Sequence, residues 1–300
     1  MAVVIALGNA TQLAASIAQQ LHLELALATC VTFSDGELNV KLEDASRFAN
    51  EAVIVVHSTC APVNDNVLST AFLAHELKNA GARKVIGVLP YFGYGRQEKS
   101  RTTGKPGSAQ LVAQLMENAG YDALYALELH EPIVQTFVAI PFENVLLREC
   151  IAQHIKQTFE DLSELCIIAP DEGARNMADQ IAKPLGLSTI VFQKERYASN
   201  KTRVIGQTGV CAGKVAIIVD DIIDTGGTAI NVCSALKEGG FEKVIGYFVH
   251  PVLSGNACER LEESGFDKVF VSNSMPVAHT GKVSEFDVSE VIARQLKDIL

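Results

Sequence analysis

The chain has 300 residues, of which 48% are hydrophobic and 20% charged, with a formal net charge of −10. This composition supplies ample material for buried cores, and the length favours two domains of roughly 150 residues each. The negative charge argues against a surface for nucleic acid or for an anionic membrane, although a few local cations could still hold a phosphorylated substrate.

The N-terminal sequence and the cysteines favour a cytoplasmic protein. The first ten residues, MAVVIALGNA, lack the basic flank of a secretory signal. No apolar run of about 18 residues predicts a membrane-spanning helix. The seven cysteines are scattered and contain no C-x-x-C pair, so they predict reduced thiols rather than a disulfide framework or a zinc site.

Short β-branched apolar runs alternate with longer helical stretches along the chain. The predicted strands are Val3–Leu7, Val53–His57, Val85–Leu89, Ala123–Leu127, Cys166–Ala169, Thr189–Phe192, Val215–Asp220 and Val244–Val249. The predicted helices are Gln12–Leu21, Asn66–Ala80, Ser108–Ala119, Arg175–Ala182, Ala229–Glu238 and Ser289–Leu300. Several strands are continuously apolar, as strands covered on both faces are. The alternation predicts an α/β fold with a largely parallel sheet.

An internal repeat indicates a duplicated domain. His75–Gly87 reads HELKNAGARKVIG and Ser234–Gly246 reads SALKEGGFEKVIG, so Leu, Lys, Gly and the run KVIG coincide at one offset. Either two helix–turn–strand units are similar by chance, or an α/β domain is duplicated with a boundary near Glu143–Glu149. We predict two domains, over residues 1–145 and 146–300.

The segment Val219–Thr228, VDDIIDTGGT, carries the strongest chemical signal. Two acids at a strand end, a third acid and a glycine–threonine turn form it: Asp220, Asp221, Asp224, Thr225, Gly226, Gly227 and Thr228. Successive amides at a helix start suit a phosphate, and the adjacent acids suit sugar hydroxyls or magnesium. The alternative is an Asp-rich solvated turn. The pattern favours a site for a sugar phosphate.

This segment resembles the phosphoribosyl pyrophosphate motif of type I phosphoribosyltransferases and of ribose-phosphate pyrophosphokinases. Other segments resemble class I ribose-phosphate pyrophosphokinases in the same order: FSDGE at 33–37, HSTCAPVNDN at 57–66, PYFGYGRQ at 90–97, LELHE at 127–131, APDEGARNMA at 169–178 and HPVLSGN at 250–256. The resemblance implies two tandem phosphoribosyltransferase-like domains, each a mainly parallel sheet flanked by helices. ATP would bind on the side of residues 1–145, and ribose 5-phosphate on the side of residues 146–300.

The resemblance also implies an activity. It is transfer of the pyrophosphoryl group of Mg-ATP to the 1-hydroxyl of ribose 5-phosphate, giving 5-phosphoribosyl 1-pyrophosphate and AMP. Two alternatives stay open: a non-catalytic nucleotide-binding regulatory homologue, and a phosphoribosyltransferase. The family commonly forms hexamers built from dimers, so a homo-oligomer is expected, with neither nucleic acid nor membrane as a partner.

The resemblance assigns the nucleotide site to the first half. Phe33 is expected to stack on adenine while Asp35 and Glu37 bond its edge, although the same residues could form a surface turn. Arg96 and Gln97 are expected to bind ATP. An arginine beside flexible glycines suits a phosphate, because its guanidinium bonds two oxygens at once.

Magnesium and a catalytic loop complete the implied site. His130 and Asp171 match the family's Mg²⁺ positions, and the ion would be held mostly by ATP oxygens and water. Lys194 and Arg196 match the cations of a flexible loop that closes over the β-phosphate. The chain departs from the family at Glu195, where an arginine is usual, and at Glu131, where a small residue is usual.

Overall fold

The computed structural model describes residues 2–98, 107–198, 201–209, 211, 213–277, 280–297 and 299. The first half contains β1 (Ala2–Leu7), α1 (Thr11–Leu21), β2 (Glu24–Thr32), β3 (Leu38–Leu42), β4 (Ala52–Val56), α2 (Val63–Asn79), β5 (Lys84–Val88), α3 (Ser108–Ala119), β6 (Ala123–Leu127) and β7 (Phe142–Val145). The second half contains α4 (Arg148–Thr158), β8 (Leu165–Ala169), α5 (Arg175–Ala182), β9 (Ser188–Ala198), β10 (Lys201–Thr208), β11 (Val215–Ile223), α6 (Gly227–Glu238), β12 (Lys243–Pro251), α7 (Ala257–Glu263), β13 (Lys268–Ser272), β14 (Val283–Phe286) and α8 (Ser289–Lys297).

The two halves are built on sheets of the same topology. Within the described residues each sheet has seven strands, in the order β3-β2-β1-β4-β5-β6-β7 and β10-β9-β8-β11-β12-β13-β14. Neighbouring strands run parallel except in the edge pairs β2–β3 and β9–β10. The predicted fold of two domains, each with a mainly parallel sheet, is confirmed.

The sequence repeat coincides with equivalent elements of the two sheets. It spans the end of α2 and β5 in one half, and the end of α6 and β12 in the other. The last glycine of the repeat, Gly87 in one half and Gly246 in the other, lies close to a packed side chain in both. A Cβ on Gly87 would lie 2.8 Å from Leu124 Cδ2, and a Cβ on Gly246 would lie 2.5 Å from Phe248 Cε2. A larger residue at either position would have to displace a packed side chain at the strand surface.

The chain divides into two compact units. The first comprises Met1–Leu146, Ser274–Pro276 and Val288–Leu300, and the second comprises Leu147–Asn273 and Val277–Asp287. The units differ from the predicted ranges 1–145 and 146–300 at the C-terminal end of the chain. The reason is that α8 packs against α1 of the first unit.

The expectation of reduced thiols is wrong for one pair of cysteines. Cys166 on β8 and Cys211, which precedes β11, form a disulfide with Cα atoms 6.2 Å apart. The other five cysteines form no disulfide within the described residues: Cys30, Cys60, Cys150, Cys233 and Cys258. Among the described residues, no helix has the length and apolar character needed to cross a bilayer.

Candidate active site

Three carboxylates gather at the carboxyl ends of β8 and β11 in the second unit. Asp220 and Asp221 lie within β11, which extends past the predicted strand end at Asp220 because it continues to pair with β12 as far as Ile223. Asp171 follows the end of the neighbouring strand β8. Asp220 is half-buried. Desolvation by the surrounding protein raises its pKa, and the charges of Asp221 and Asp171 raise it further. A cation or a hydrogen-bond donor would stabilise this cluster.

A phosphate cup, defined as Thr225, Gly226, Gly227 and Thr228, follows β11. Asp224 begins the turn, Gly226 takes a left-handed conformation with φ of 74°, and α6 starts at Gly227. A side chain other than glycine rarely adopts that φ. No described side chain caps this end of the 12-residue helix. Its first amides lack intrahelical acceptors, so they and the helix dipole favour an anion.

The phosphate cup has a neighbouring cation that the sequence did not reveal. Arg260 on α7 donates from Nη1 to the carbonyl oxygen of Thr225 over 2.7 Å. Its Nη2 lies 3.9 Å from the position that a Cβ on Gly227 would take. Leu261, the next residue, is fully buried in the core with Ile223, which fixes α7 beside the cup. The sequence gives no signal for Arg260, because an arginine in the glutamate-rich run ACERLEE resembles a solvated helix cation.

The residues predicted to bind adenine form the tip of the hairpin between β2 and β3. The Phe33 N–H donates to the Glu37 carbonyl over 2.8 Å, and the Gly36 N–H donates to the Phe33 carbonyl over 2.9 Å. The Glu37 N–H also donates to the Asp35 carboxylate over 3.1 Å. The Phe33 side chain is 52% exposed. The tip therefore presents the uncovered aromatic ring that stacking on a base requires.

Arg96 and Gln97 lie on the loop that follows β5. The Gln97 N–H donates to the Tyr94 carbonyl over 2.8 Å, and the Gln97 carbonyl accepts from the N–H of Ala109 on α3 over 3.3 Å. Tyr94 has a positive φ of 65°. Both Arg96 and Gln97 are exposed. Hydrogen bonds through both the N–H and the carbonyl of Gln97 thus hold the loop backbone, and the two polar side chains lie at the surface of the first unit.

His130 follows β6 on a segment with an unusual backbone. Glu128 is buried and has a φ of 36°. Its N–H donates to the Val145 carbonyl over 3.1 Å, and the Leu129 N–H donates to Asn144 Oδ1 over 2.8 Å. His130 itself is exposed. Two hydrogen bonds to β7 therefore hold the backbone that carries the histidine.

The predicted magnesium residues are distributed over both units. His130 belongs to the first and Asp171 to the second, and their pairing stays a prediction. No three His, Cys, Asp or Glu side chains of the described residues converge closely enough to hold a metal. Mg²⁺ ordinarily takes one or two carboxylates together with substrate phosphates and water, rather than a protein cage. Desolvation first, and then the charges of Asp221 and Asp171, raise the Asp220 pKa, so one or two carboxylates of this cluster fit an ion bound in that way.

Lys194 and Arg196 lie on a strand, and not on the open loop that the resemblance implies. In the β9–β10 hairpin Lys194 is opposite Val204, and Arg196 is opposite Thr202. Antiparallel pairing satisfies the backbone groups that a loop would leave open. The two side chains fall outside the described part of the chain, so their catalytic roles stay predictions. This hairpin holds the same place in the second sheet as the Phe33 hairpin holds in the first.

Comparison with known proteins agrees with this arrangement. Residues 2–120 match the N-terminal domain of ribose phosphate pyrophosphokinase, and residues 141–285 match the phosphoribosyl transferase domain. The chain is 34% identical to a ribose-phosphate pyrophosphokinase of Vibrio cholerae over 97% of its own length and 94% of the relative's. It is 35% identical to that of Bacillus caldolyticus, over 93% and 88% of the two chains.

A solved structure has the same fold over its whole length. The phosphoribosylpyrophosphate synthetase of Mycobacterium smegmatis superposes with a TM-score of 0.89 at 27% identity, covering 99% of this chain and 98% of that one. The matches to these curated relatives cover 97% and 93% of this chain, and so extend over both units. The chain belongs to the ribose-phosphate pyrophosphokinase family.

Proposed function

We propose that this chain is an enzyme that transfers the pyrophosphoryl group of ATP to the 1-hydroxyl of ribose 5-phosphate, forming 5-phosphoribosyl 1-pyrophosphate and AMP. One observation carries the proposal: an acid pair, Asp220 and Asp221, stands in the strand that leads into the phosphate cup. A sugar phosphate needs both features, because its hydroxyls donate to carboxylates while its phosphate accepts from amides. Membership of the family over nearly the whole chain supports the same reaction.

The second unit would bind ribose 5-phosphate. Asp220 and Asp221 orient the ribose hydroxyls, and Asp224 lies between them and the phosphate cup along the chain. The amides and hydroxyls of the cup bind the 5-phosphate. Arg260 adds a positive charge, which the hydrogen bond to the Thr225 carbonyl keeps close to the cup.

The first unit would bind ATP. Phe33 stacks on the adenine ring, and Asp35 and Glu37 accept hydrogen bonds at its edge. Arg96 and Gln97, on the pinned loop after β5, bind the phosphates. The exposed ring of Phe33 and the exposed Arg96 and Gln97 side chains support these roles, since each could reach a ligand without displacing core residues.

The reaction moves one covalent bond at the β-phosphorus. The 1-hydroxyl oxygen of ribose 5-phosphate bonds to that atom, while its bond to the oxygen shared with the α-phosphorus breaks, and AMP leaves with that oxygen. The hydroxyl proton is released. Lys194 and Arg196 stabilise the charge that develops on the phosphate oxygens. Mg²⁺, when held by His130 and Asp171 with ATP oxygens and water, supplies further neutralisation of those oxygens.

The assembly and location are also proposals. The family resemblance supports a homo-oligomer, a dimer or a hexamer, that acts in the cytoplasm. Light scattering on the purified chain measures the assembly directly. A mass of one 32.2 kDa subunit at working concentration would contradict it.

A single assay tests the function. The purified chain is incubated with ATP, ribose 5-phosphate and Mg²⁺, and AMP is quantified with and without the sugar phosphate. The enzyme releases AMP only when both substrates are present. A regulatory homologue would bind nucleotide without releasing AMP. A phosphoribosyltransferase would instead consume 5-phosphoribosyl 1-pyrophosphate when a base is supplied.

A further inference from the structure

The two sheets correspond to each other residue by residue near their ligand ends. In the first sheet β4 lies beside β5, with Ala52 opposite Lys84. In the second sheet β11 lies beside β12, with Val215 opposite Lys243. Counting from these pairs, the segment Ser58–Val63 corresponds to Asp221–Gly226, which ends in the first two residues of the phosphate cup.

The correspondence extends into the loops that follow β5 and β12. Thr59 corresponds to Ile222, and Tyr91 corresponds to His250. Ile222 is in register with His250 in the second sheet. In the first sheet the Thr59 N–H donates to the Tyr91 carbonyl over 3.0 Å. Beyond these pairs, Tyr94 and Leu253 occupy equivalent positions, and both have positive φ, 65° and 46°. Equivalent backbone paths therefore carry different side chains.

In the first unit, the loop that follows β5 lies against the N-terminal end of α2. Thr59 is fully buried, and its hydroxyl donates to the Tyr91 carbonyl over 2.8 Å and accepts from the Gly93 N–H over 2.7 Å. A Cβ on Gly93 would lie 2.4 Å from the Thr59 carbonyl oxygen and 2.9 Å from Cγ1 of Val63, the first residue of α2. The loop backbone is thus seated directly against the start of the helix.

The segment that receives the loop is itself held in place. Asn66 on α2 donates from Nδ2 to the Cys60 carbonyl over 2.8 Å. Asn9 donates to the Ser58 carbonyl over 2.8 Å and accepts from the Ser58 N–H over 3.1 Å. These bonds fix the backbone on both sides of Thr59, so its hydroxyl stays aimed at the loop.

We infer that the segment Ser58–Val63, the counterpart of the phosphate cup, acts as a clamp: it holds in place the loop that carries Arg96 and Gln97. Thr59 is thereby a positioning residue for ATP. The path of the effect is short. Thr59 fixes Gly93, the next residue Tyr94 accepts from the Gln97 N–H over 2.8 Å, and Arg96 lies between them. The inference rests on the proposed function, because ATP must be the ligand of Arg96 and Gln97.

Two substitutions at one position test the clamp. Thr59→Val keeps the side-chain shape and removes the hydroxyl, and Thr59→Ser keeps the hydroxyl. We expect Thr59→Val to raise KM for ATP about fivefold, the effect of one lost buried hydrogen bond, and to leave KM for ribose 5-phosphate unchanged. Thr59→Ser should restore KM for ATP. Hydrogen exchange of a peptide covering Tyr91–Gln97 should be faster in Thr59→Val than in the parent.

A second variant approaches the same contact from the loop. Gly93→Ala places a methyl group against the Thr59 carbonyl and should give the same pattern of KM values. Unchanged exchange and an unchanged KM for ATP in Thr59→Val would overturn the inference, as would equal increases in both KM values. Should the parent release no AMP, the proposed function fails. The exchange experiment, with equilibrium binding of ATP alone, then still decides whether Thr59 acts on the loop.

Discussion

The guanidinium of Arg260 donates a hydrogen bond from Nη1 to the backbone carbonyl of Thr225 over 2.7 Å. This bond joins α7 to the first residue of the phosphate cup. The cup follows a segment that already carries three acids, Asp220, Asp221 and Asp224. A phosphate bound there meets unfavourable negative charge, and Arg260 offsets it.

Removing the charge of Arg260 should weaken binding of ribose 5-phosphate alone. Arg260→Gln keeps a hydrogen-bond donor without the charge, and we expect about a tenfold rise in KM for ribose 5-phosphate. Arg260→Lys should be intermediate, because it keeps the charge and loses the forked geometry. Steady-state kinetics with each substrate varied measure this. Arg294→Gln, at an exposed arginine paired with Glu290 on α8, is the control. An equal rise in KM for ATP would refute the assignment.

Asp224 should act on the sugar phosphate rather than on folding. Asp224→Ala should lower kcat/KM for ribose 5-phosphate by about 10- to 100-fold, the scale of a lost hydrogen bond to a charged group. The unfolding midpoint in urea shows whether the fold is retained. Asp161→Ala, at an exposed turn where Asp161 accepts from the Ser163 N–H, is a matched change outside the site. Near-normal kinetics in Asp224→Ala would remove this residue from the site.

Phe33 should act on the nucleotide. Phe33→Ala should weaken ATP binding by roughly 1–2 kcal/mol, the scale of a lost base–aromatic stack, and should spare ribose 5-phosphate. Equilibrium titration with ATP measures this. Phe72→Ala on α2 is a fitting control, since Phe72 is 45% exposed and Phe33 is 52% exposed. Equal losses for both substrates would indicate that Phe33 supports the hairpin instead.

Lys194 should act in the chemical step. Lys194→Ala should reduce kcat by about 10²-fold and change the KM values much less, because the lost contact strengthens in the transition state. Single-turnover kinetics at saturating substrates measure the step. Lys214→Ala, at an exposed lysine paired with Glu242, provides the control. Weak ATP binding with a normal kcat would show that Lys194 only collects the nucleotide.

The stability of the second unit should depend on the protonation of His154. Nδ1 of this half-buried ring shares a hydrogen bond of 2.8 Å with the Tyr247 hydroxyl. The ring also packs against Phe270 and Phe286. Burial lowers its pKa below the ordinary 6.5. The unfolded chain therefore takes up the proton first, and stability falls as pH drops below about 6.5.

Urea unfolding between pH 5 and 8 tests this, with the difference between the parent and His154→Gln as the readout. The glutamine stays neutral and can still bond the Tyr247 hydroxyl, so the variant should lose less stability on acidification. Parallel pH profiles for the two proteins would show that His154 titrates alike in the folded and unfolded states.

The sequence predicted the central strands and the acid–cup segment because both follow from local pattern. The strands β4 and β8 are buried along their whole length, so continuous apolar runs identify them. The edge hairpin of β2 and β3 was missed, because β2 is largely exposed and its residues lack a long apolar run. The end of β11 was also misjudged, because its pairing with β12 depends on another strand.

Features that depend on distant residues could not be predicted in this way. Arg260 reaches the Thr225 carbonyl across 35 positions, and Cys166 meets Cys211 across 45. Thr59 contacts Gly93 across 34 positions. Each contact depends on sheet order and register, which a single sequence does not contain. The family resemblance supplied residue roles, but not these connections.

The most direct test of the central claim uses ATP that carries a radioactive label at its β-phosphorus. The purified chain is incubated with this ATP, ribose 5-phosphate and Mg²⁺, and the labelled products are identified. Attack of the 1-hydroxyl on the β-phosphorus predicts that the label leaves ATP only as 5-phosphoribosyl 1-pyrophosphate, in amounts equal to the AMP formed. No ADP should accumulate. Labelled ADP formed with ribose 5-phosphate would mean transfer of a single phosphoryl group. Label that stays in ATP would mean no transfer, and either result would contradict the account.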